Sequence, residues 1–376
     1  MIGQEEREAV LRVLDRGILS GYQGNWSDAF YGGQEVRELE KEWAEHFNVK
    51  HAIATNSATS GLWLACAAIG LQKDFNNITK QCSVGEKFEG PFSPPYYVSE
   101  YLPDEVIVTP YSMTCSASIP LHFGAKPVFA DIEPGYYCLD PNDVEAKITP
   151  NTKAIIVVDL FGQPYDADAI NAIAKKHGLY VIEDAAQAIG AKHKDKYAGT
   201  LGDIGVFSLN RHKHIQCGEG GVVVTDNDAL AFKLRLLMNH AEAVMNDMVR
   251  KEPLPADAGW KNLDLVGMNL RMTELQAAIA REQLKKLDGI LEVVRENAKY
   301  FPVKVRPECE SSFYRYAWID QGLKYWDNPN VNYKLHYITP LYKMPLFRSL
   351  GYPQDLCPVC EEVEENIVLA WLKEVV

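Results

Sequence analysis

Short apolar runs alternate along the chain with segments in which apolar residues recur every three or four positions. Seven of these runs are candidate strands: "AIAT" (52–55), "EVIVTP" (105–110), "PVFADI" (127–132), "AIIVVDLF" (154–161), "LYVIEDA" (179–185), "GVFSL" (205–209) and "GVVVT" (221–225). Nearly continuous apolar character is typical of strands that are buried on both faces of a sheet covered by helices. The pattern therefore predicts an α/β fold with a mostly parallel, seven-stranded sheet.

Apolar residues recur at helical spacing in residues 1–20 and again in residues 35–47. The apolar positions are Val10, Leu11, Leu14 and Ile18 in the first helix, and Val36, Leu39, Trp43 and Phe47 in the second. Between them, residues 21–34 are rich in glycine and aromatic residues and are predicted to form an ordered loop. The segment "DADAINAIAKKHG" is a further helix, with Asp166 near its start and Gly178 at its end.

The second half of the chain predicts a connecting region and a smaller domain. One long helix is predicted over residues 273–300, and its apolar face holds Leu275, Ala278, Ile279, Leu284 and Leu287. Residues 73–104 contain four prolines and interrupt the alternation of strands and helices, which indicates an inserted surface loop. These features divide the chain into a large domain (1–240), a connecting helical region (241–300) and a smaller C-terminal α/β domain (301–376).

Composition and charge narrow the classes of function. The chain is 47% hydrophobic and 24% charged, as in a soluble globular protein, and its net charge of −13 argues against a nucleic-acid partner. No apolar run reaches membrane-spanning length and no secretory pattern opens the chain, so a cytoplasmic protein without membrane contact is expected. The eight cysteines include the pair Cys357 and Cys360 but no second pair that would complete a zinc site, and free thiols are expected.

Small hydroxyl residues follow the first predicted strand, at the point where a helix begins. In doubly wound sheets, ligands bind beyond the carboxyl ends of the strands, so residues in such places are candidates for chemistry. The stretch "TNSATSG" (55–61) leads into a helix whose free N–H groups and dipole favour an anion such as phosphate. Capping of the helix by Asn56, Ser57 or Thr59 is the simpler alternative.

Two further strands are followed by residues suited to catalysis. Asp184 and Gln187 come after the apolar "YVI", beside Glu183; a carboxylate there is either a solvated strand-end group or the partner of a cationic ring nitrogen. Lys213 lies beyond the next strand, five residues after Ser208. A lysine is usually a surface charge, but a desolvated lysine amine loses its proton and forms a Schiff base with a carbonyl. An anion site, a carboxylate and a reactive lysine are together the groups that pyridoxal phosphate requires.

Four blocks of the sequence resemble the signatures of one family. They are "NSATSG" (56–61), "EDAAQAIGA" (183–191), "FSLNRHKHIQCGEGGVVVTDN" (207–227) and "GMNLRMTELQAAI" (267–279). In this order, they resemble the pyridoxal-phosphate-dependent sugar aminotransferases of the DegT/DnrJ/StrS group, and "HYITPLY" (336–342) resembles the C-terminal domain of that group. The resemblance implies the fold-type I architecture, which is similar to that of aspartate aminotransferase.

The resemblance also implies roles for individual residues. Lys213 would form the Schiff base with pyridoxal 5'-phosphate, and Asp184 would pair with the pyridine nitrogen. Gln187 would lie near the ring hydroxyl. The phosphate would be held by the backbone of Ala58 and by the side chains of Thr59 and Ser208.

A homodimer with active sites at the subunit interface is a further implication of the resemblance. Asn269 would reach the phosphate bound by the partner subunit, and Arg271 is the alternative for that role. Members of the family place an aromatic ring on the pyridine face, but here the segment after "EVIVTP" offers Met113 or Cys115 at the simplest registers and Tyr111 only with a shift. The stacking residue is therefore left open.

Two other segments are candidates for substrate contacts. Tyr22, Trp26 and Tyr31 of the loop 21–34 are a candidate part of the acceptor site, with a purely structural role as an equal alternative. Asn210 and Arg211 stand where smaller or apolar residues are frequent in relatives, and they are further candidates.

The implied activity is transfer of an amino group from an amino acid, expected to be L-glutamate, to a keto-sugar that is expected to be nucleotide-linked. Lys213 would move a proton in each half-reaction. One branch of the family has histidine in place of the lysine and dehydrates the sugar instead. The family pattern puts four residues between the reactive position and the GEGG glycine; "HIQC" separates Lys213 from Gly218, whereas His214 would leave three and His212 five. The spacing favours amination.

Three alternative functions compete with the aminotransferase. The first is the dehydratase branch, which the spacing disfavours. The second is a sensor or scaffold that binds cofactor or sugar without turnover, and joint retention of Lys213, Asp184 and Gln187 weighs against it. The third is a nicotinamide-dependent oxidoreductase, but no G-x-G-x-x-G joins an early strand to a helix.

Overall fold

The computed structural model of the protein describes residues 2–25, 27–71, 104–241, 265–320 and 330–372. The insertion predicted at 73–104 lies outside the described residues except for Asp104, and Trp26 also lies outside them.

Seven strands form the central sheet, and each of the seven apolar runs contributes one. In chain order they are β1 (His51–Thr55), β2 (Glu105–Val108), β3 (Lys126–Phe129), β4 (Thr152–Val158), β5 (Tyr180–Asp184), β6 (Ile204–Ser208) and β7 (Gly221–Thr225). The order across the sheet is β1-β7-β6-β5-β4-β2-β3. Strand β7 is antiparallel to β1 and β6, and all other neighbours are parallel. The predicted mostly parallel, seven-stranded sheet is therefore confirmed.

Helices cover both faces of this sheet. In chain order they are α1 (Gln4–Arg16), α2 (Gln34–Phe47), α3 (Ala58–Ala68), α4 (Cys115–His122), α5 (Pro141–Ala146), α6 (Ala167–His177), α7 (Asp228–Met238), α8 (Glu274–Leu284) and α9 (Leu287–Ala298). Alternate strand residues face opposite sides, so Val206 packs in the cluster that includes α3 and α7, whereas Phe207 packs on Trp43 of α2.

Two of the helices have the ends and faces that the sequence predicts. Helix α6 begins after Asp166, whose side chain accepts a hydrogen bond from the N–H of Ala169, and it ends at Gly178 in the left-handed conformation. Helix α2 buries all four of its predicted apolar residues, Val36, Leu39, Trp43 and Phe47.

The C-terminal part adds a smaller antiparallel sheet with two further helices. Its strands are β8 (Tyr316–Ile319), β9 (Val331–Leu335) and β10 (Ile367–Leu372), in the order β8-β10-β9, and the helices are α10 (Pro345–Ser349) and α11 (Pro358–Asn366). The smaller C-terminal α/β part is thus present, whereas the domain limits at 240 and 300 stay predictions.

The first helix forms as predicted, but the predicted apolar face is not the buried one. Helix α1 packs on α8 through Ala9 and Val13, which contact Ala278. Leu11 and Leu14 are about half exposed, at 47% and 50%. The small side chains allow the two helices to approach closely, and this choice of face depends on α8, which lies far away in the sequence.

The single helix predicted over 273–300 is also wrong, because the structure has two helices, α8 and α9. The chain turns at Lys285 and Lys286, where the N–H of Lys286 bonds to the carbonyl of Gln283 instead of the residue four positions earlier. At this turn the Lys286 ammonium contacts both oxygens of the buried Glu6 carboxylate of α1, at 2.6 and 2.8 Å. The break therefore places a cation against an otherwise unpaired buried charge.

Candidate active site

The carboxyl ends of β1, β5 and β6 lie at one edge of the sheet, because these strands run in the same direction. The thiol of Cys115, in the first turn of α4, lies close to the residues that follow all three strands. Its pKa is raised to about 11 by burial and by the charge of Asp184, against a hydrogen bond with Thr59 and the charge of Lys213. The structure thus brings together three predicted site residues from three separate segments.

Asp184 ends β5 and is almost fully buried. Its Oδ1 accepts a hydrogen bond from the N–H of Ala186 at 3.2 Å, and its Oδ2 accepts one from the hydroxyl of Ser116 at 3.3 Å. Burial raises the pKa of Asp184, while the Ala186 bond, the charge of Lys213 and the Ser116 bond lower it. A buried carboxylate with two long hydrogen bonds retains capacity for a cationic partner.

The neighbouring carboxylate, Glu183, is satisfied by the backbone and has a structural role. It accepts hydrogen bonds from the N–H groups of Gly199 at 2.6 Å, Leu201 at 2.8 Å and Gly202 at 3.1 Å. Strand alternation places the two carboxylates on opposite sides of the sheet. Of the two candidate carboxylates after "YVI", Asp184 is the one that faces Lys213.

Gln187 connects the end of β5 with the C-terminal part of the chain. Its side-chain oxygen accepts a hydrogen bond from the N–H of Phe161 at 3.0 Å, and its amide nitrogen donates to the hydroxyl of Tyr337 at 3.2 Å. The side chain is therefore held in one orientation at the edge of the sheet where Asp184 lies. Tyr337 was not among the predicted site residues.

The start of α3 has the features of an anion site. Ser57 caps the helix by accepting a hydrogen bond from the N–H of Ser60 at 3.1 Å. Thr59 is exposed, and within the described part of the chain no acceptor is found for the N–H groups of Ala58 and Thr59. The capping role considered for this segment thus belongs to Ser57, and the N–H groups of Ala58 and Thr59 are available to a ligand.

Ser208 is brought next to this segment by the pairing of β6 with β7. It ends β6 opposite Gly221, the first residue of β7. A Cβ atom at Gly221 would lie 2.7 Å from the backbone nitrogen of Ala58, so only glycine permits this close approach. Ser208 and the N-terminus of α3 therefore lie side by side.

Lys213 and its two neighbouring histidines have different surroundings. Lys213 is half-buried, with its Nζ 4.5 Å from the ring centre of Tyr314. His214 is buried, and its pKa is lowered to about 4, chiefly by burial. His212 is exposed and interacts with Arg211. The charge of Lys213 lowers the pKa values of both Cys115 and Asp184, which places this side chain at the same site.

The segment containing Asn269 lies beside the start of α3. The N–H of Asn56 donates to the carbonyl of Leu270 at 2.9 Å, and the backbones of Thr55 and Arg271 pair in an isolated antiparallel β-bridge. Asn269 itself is exposed, and its side-chain oxygen accepts a hydrogen bond from Arg271 at 2.8 Å. The two residues considered for a contact with the partner subunit are thus hydrogen-bonded to each other, and the role of Asn269 stays a prediction.

The open question of the stacking residue is narrowed by the structure. Tyr111 is fully buried with its ring against Tyr337, and Met113 is 56% exposed. Of the three, Cys115 is the residue whose pKa is affected by a hydrogen bond with Thr59 and by the charges of Asp184 and Lys213. The roles of Asn210 and Arg211 stay predictions, since their side chains donate hydrogen bonds to Glu219 and His212.

Sequence reasoning missed four residues at this site: Ser116, Tyr314, Arg315 and Tyr337. Ser116 and Tyr337 bond to Asp184 and Gln187, while the ring of Tyr314 contacts both Lys213 and Arg315. Three of the four belong to the C-terminal part of the chain. No local motif marked them, because their positions depend on how that part folds back onto the large sheet.

The described residues also bear on the expectations for cysteines, metal ligands and membrane-spanning helices. Seven cysteines in these ranges are free thiols, including the buried Cys357 and Cys360. No cluster of His, Cys, Asp or Glu side chains suited to a metal ion occurs among them. Within the same ranges, no helix has the length and apolar character needed to cross a membrane.

The architecture is that of the aminotransferases. The X-ray structure of an aminotransferase from Psychrobacter cryohalolentis matches this fold with a TM-score of 0.75 at 27% sequence identity, covering 100% of this chain and 93% of that chain. The fold-type I architecture expected from the sequence is confirmed.

The chain belongs to the DegT/DnrJ/EryC1/StrS aminotransferase family, whose model matches residues 15–83 and 100–307. A GDP-perosamine synthase of Caulobacter vibrioides is 38% identical over 283 residues, which are 75% of this chain and 62% of that protein. The chain thus spans less than two thirds of the length of this relative. A UDP-N-acetyl-3-dehydro-alpha-D-glucosamine 3-aminotransferase of Acidithiobacillus ferrooxidans is 36% identical over 370 residues, which are 93% of this chain and 87% of that protein. The family resemblance of the four sequence blocks is confirmed.

Proposed function

We propose that the protein is a pyridoxal 5'-phosphate-dependent aminotransferase that transfers an amino group from L-glutamate to a nucleotide-linked keto-sugar. The observation that carries this proposal is the convergence of Lys213, Asp184 and Thr59 around the Cys115 thiol at one edge of the sheet. Family membership supports the reaction class, and the names of the relatives, which include a GDP-sugar and a UDP-sugar enzyme, support the class of acceptor.

The residues at this edge fit the cofactor. The free N–H groups of Ala58 and Thr59, with the hydroxyls of Thr59 and Ser208, suit its phosphate. Asp184 is a buried carboxylate with capacity for a cation, as a protonated ring nitrogen requires, and Gln187 is held nearby by hydrogen bonds on both ends of its amide. When bound, the cofactor would supply an electron sink for bond changes at the amino-bearing carbon.

Lys213 would have two tasks in this site. Its amine would attach the cofactor covalently, and after release it would carry a proton between substrate and cofactor carbon atoms in each half-reaction. Tyr314, 4.5 Å from the Lys213 nitrogen, shields the amine from water on one side. Burial raises the pKa of Asp184, and a protonated ring nitrogen placed at its carboxylate would oppose this effect in the same way as the Ala186 N–H, the Lys213 charge and the Ser116 hydroxyl.

The protein is further proposed to act as a homodimer in the cytoplasm. The exposed Asn269 and the half-buried Arg271 lie next to the α3 N-terminus, where they would contact a second subunit. Leu11, Leu14 and Ile18 are about half exposed on and after α1, and apolar side chains grouped on a surface favour association.

The proposal is tested by absorption spectroscopy of the purified protein with pyridoxal phosphate, before and after addition of L-glutamate. We expect a visible band that glutamate shifts, and a borohydride-stable adduct on Lys213 in the peptide map. Lys213→Ala should lose both signals, because the proposed covalent link to the cofactor depends on the Lys213 amine. Lys175→Ala removes an exposed lysine of α6 and should retain both.

The second half-reaction is tested with the glutamate-treated protein and a panel of GDP- and UDP-linked keto-sugars. Return of the original band with formation of an amino-sugar identifies the acceptor. Absence of any lysine-linked cofactor in the wild-type protein would refute the proposal. Dehydration of the sugar without amine transfer would show that the protein is a dehydratase instead.

A further inference from the structure

Arg315 is a cation enclosed by aromatic rings. Its guanidinium carbon lies 4.2 Å from the ring centre of Tyr314 and 4.9 Å from that of Trp371. One N–H group, on Nη1, donates to the carbonyl oxygen of Tyr314 at 2.7 Å. The side chain is held in place by these contacts, which leave other N–H donors of the guanidinium unused.

The surroundings of Arg315 lack the negative charge that other enclosed arginines have. Arg235, Arg281 and Arg306 each form an ion pair with a glutamate. Across the ranges that the structure describes, no carboxylate lies within ion-pair distance of Arg315. Burial lowers the pKa of Arg315, and the groups that oppose this effect are the phenols of Tyr314 and Tyr337. A partly desolvated charge without a counter-charge favours binding of an anion.

Arg315 borders the candidate active site on two sides. The ring of Tyr314 contacts both Arg315 and Lys213, whose Nζ is 4.5 Å from the ring centre. Tyr337, which interacts electrostatically with Arg315, accepts the hydrogen bond from Gln187. An anion bound to Arg315 would therefore lie at the border of the site that contains Lys213 and Gln187.

We propose that Arg315 is the side chain that binds an oxyanion of the substrate, either a carboxylate of the amino donor or a phosphate of the nucleotide-linked acceptor. The planar fork of a guanidinium matches both groups through paired hydrogen bonds. In two successive half-reactions the donor and acceptor use the same site, so one arginine can serve either or both. This inference rests on the proposed function for the identity of the substrates.

Direct binding to the holoenzyme tests the inference without turnover. The probes are glutarate, which has the two carboxylates of glutamate but no amine, and UDP, and both are titrated by calorimetry. Arg315→Gln should weaken binding of at least one probe by roughly 30-fold or more, as expected for loss of a desolvated charge pair. Arg315→Lys should restore part of the affinity, because it keeps the charge but not the planar fork. Arg348→Gln removes an exposed arginine of α10 and serves as the matched control.

The pattern of loss identifies the source of the oxyanion. Weaker binding of glutarate alone assigns Arg315 to the donor, weaker binding of UDP alone assigns it to the acceptor, and loss of both assigns it to each in turn. In the glutamate half-reaction, loss of an arginine that binds the side-chain carboxylate of the donor raises the concentration for half-maximal rate and leaves the limiting rate within about threefold, because that carboxylate is remote from the reacting carbon, whereas loss of an arginine that binds the α-carboxylate also lowers the limiting rate.

Two results would overturn the inference: the absence of binding of both probes to the wild-type holoenzyme, and equal affinities of the Arg315→Gln and Arg348→Gln proteins for both probes. If circular dichroism shows that Arg315→Gln is unfolded, the decision passes to Arg315→Lys, which keeps the stem and the charge. A folded Arg315→Lys protein with wild-type affinity for both probes would then overturn the inference. Failure of the proposed function is distinguishable, because it would abolish the Lys213 adduct but leave the binding titrations interpretable.

Discussion

Protonation of His214 should destabilise the protein in mildly acidic solution. The ring is buried beside Lys213, and its pKa is lowered from 6.5 to about 4 by burial, with a backbone hydrogen bond at Ser312 acting in the opposite direction and the charges of Arg315 and Lys213 adding to the lowering. The neutral form is therefore favoured in the folded state. The stability linked to His214 is fully present above pH 6.5 and is lost as the pH falls from 6.5 through 4.

The size of the effect follows from the difference between the two pKa values. At about 1.36 kcal/mol for each pH unit, His214 contributes about 3 kcal/mol that is absent at low pH. At pH 5 the protonated fraction of the unfolded state is already large, and about 2 kcal/mol of this contribution is lost. A loss of this size is a substantial part of the total stability of an ordinary domain.

Urea unfolding at pH 7.5 and pH 5.0, followed by circular dichroism at one protein concentration, measures this loss. His214→Phe keeps an aromatic ring next to Tyr314 but does not titrate, so its free energy of unfolding should fall by about 2 kcal/mol less than that of the wild type between the two pH values. His212→Gln changes the exposed neighbour and should keep most of the wild-type pH dependence. Equal pH dependence in the wild type and His214→Phe would refute the assignment to His214.

Two further predictions concern the first helix and the assembly. Burial raises the pKa of Glu6, but hydrogen bonds with Lys286, Gln283 and Gly3 outweigh it and lower the pKa to about 2. The stability that Glu6 contributes is therefore present above pH 4.5 and is lost as the pH falls towards 2. Glu6→Gln should lower the free energy of unfolding in urea by about 3 kcal/mol at pH 7, and the difference from the wild type should shrink towards pH 3. An unchanged free energy of unfolding in Glu6→Gln at pH 7 would contradict this. Light scattering should give a mass twice the 42.2 kDa of the chain, and a monomer at micromolar concentration would contradict the proposed homodimer.

Elements with a strong local pattern were predictable from the sequence. The strands of the central sheet are apolar on both faces, and α2 repeats its apolar residues at a single helical face, so each pattern determines one structure. The ends of α6 were also predictable, because Asp166 and Gly178 satisfy the free backbone groups of the helix by local interactions. The motifs around Asp184 and Lys213 indicated the candidate site for the same reason, since each occupies a short segment.

Predictions failed where contacts with a distant part of the chain override the local pattern. In α1 the face with Leu11 and Leu14 is more apolar than the face with Ala9 and Val13, yet the second is buried because only small side chains allow close contact with Ala278 of α8. The break between α8 and α9 has a similar origin, since the local pattern continues through Lys286.

The sequence by itself determined the α/β class, the seven strands and the family, because these depend on periodicity and on short motifs. Tertiary structure alone decided which of Glu183 and Asp184 faces Lys213, and which residues complete the site. Arg315, Tyr314 and Tyr337 reach that site from a part of the chain more than a hundred residues after Lys213. Their positions depend on the packing of the C-terminal part against the large sheet, and burial and charge at such a junction arise only when both parts are folded together.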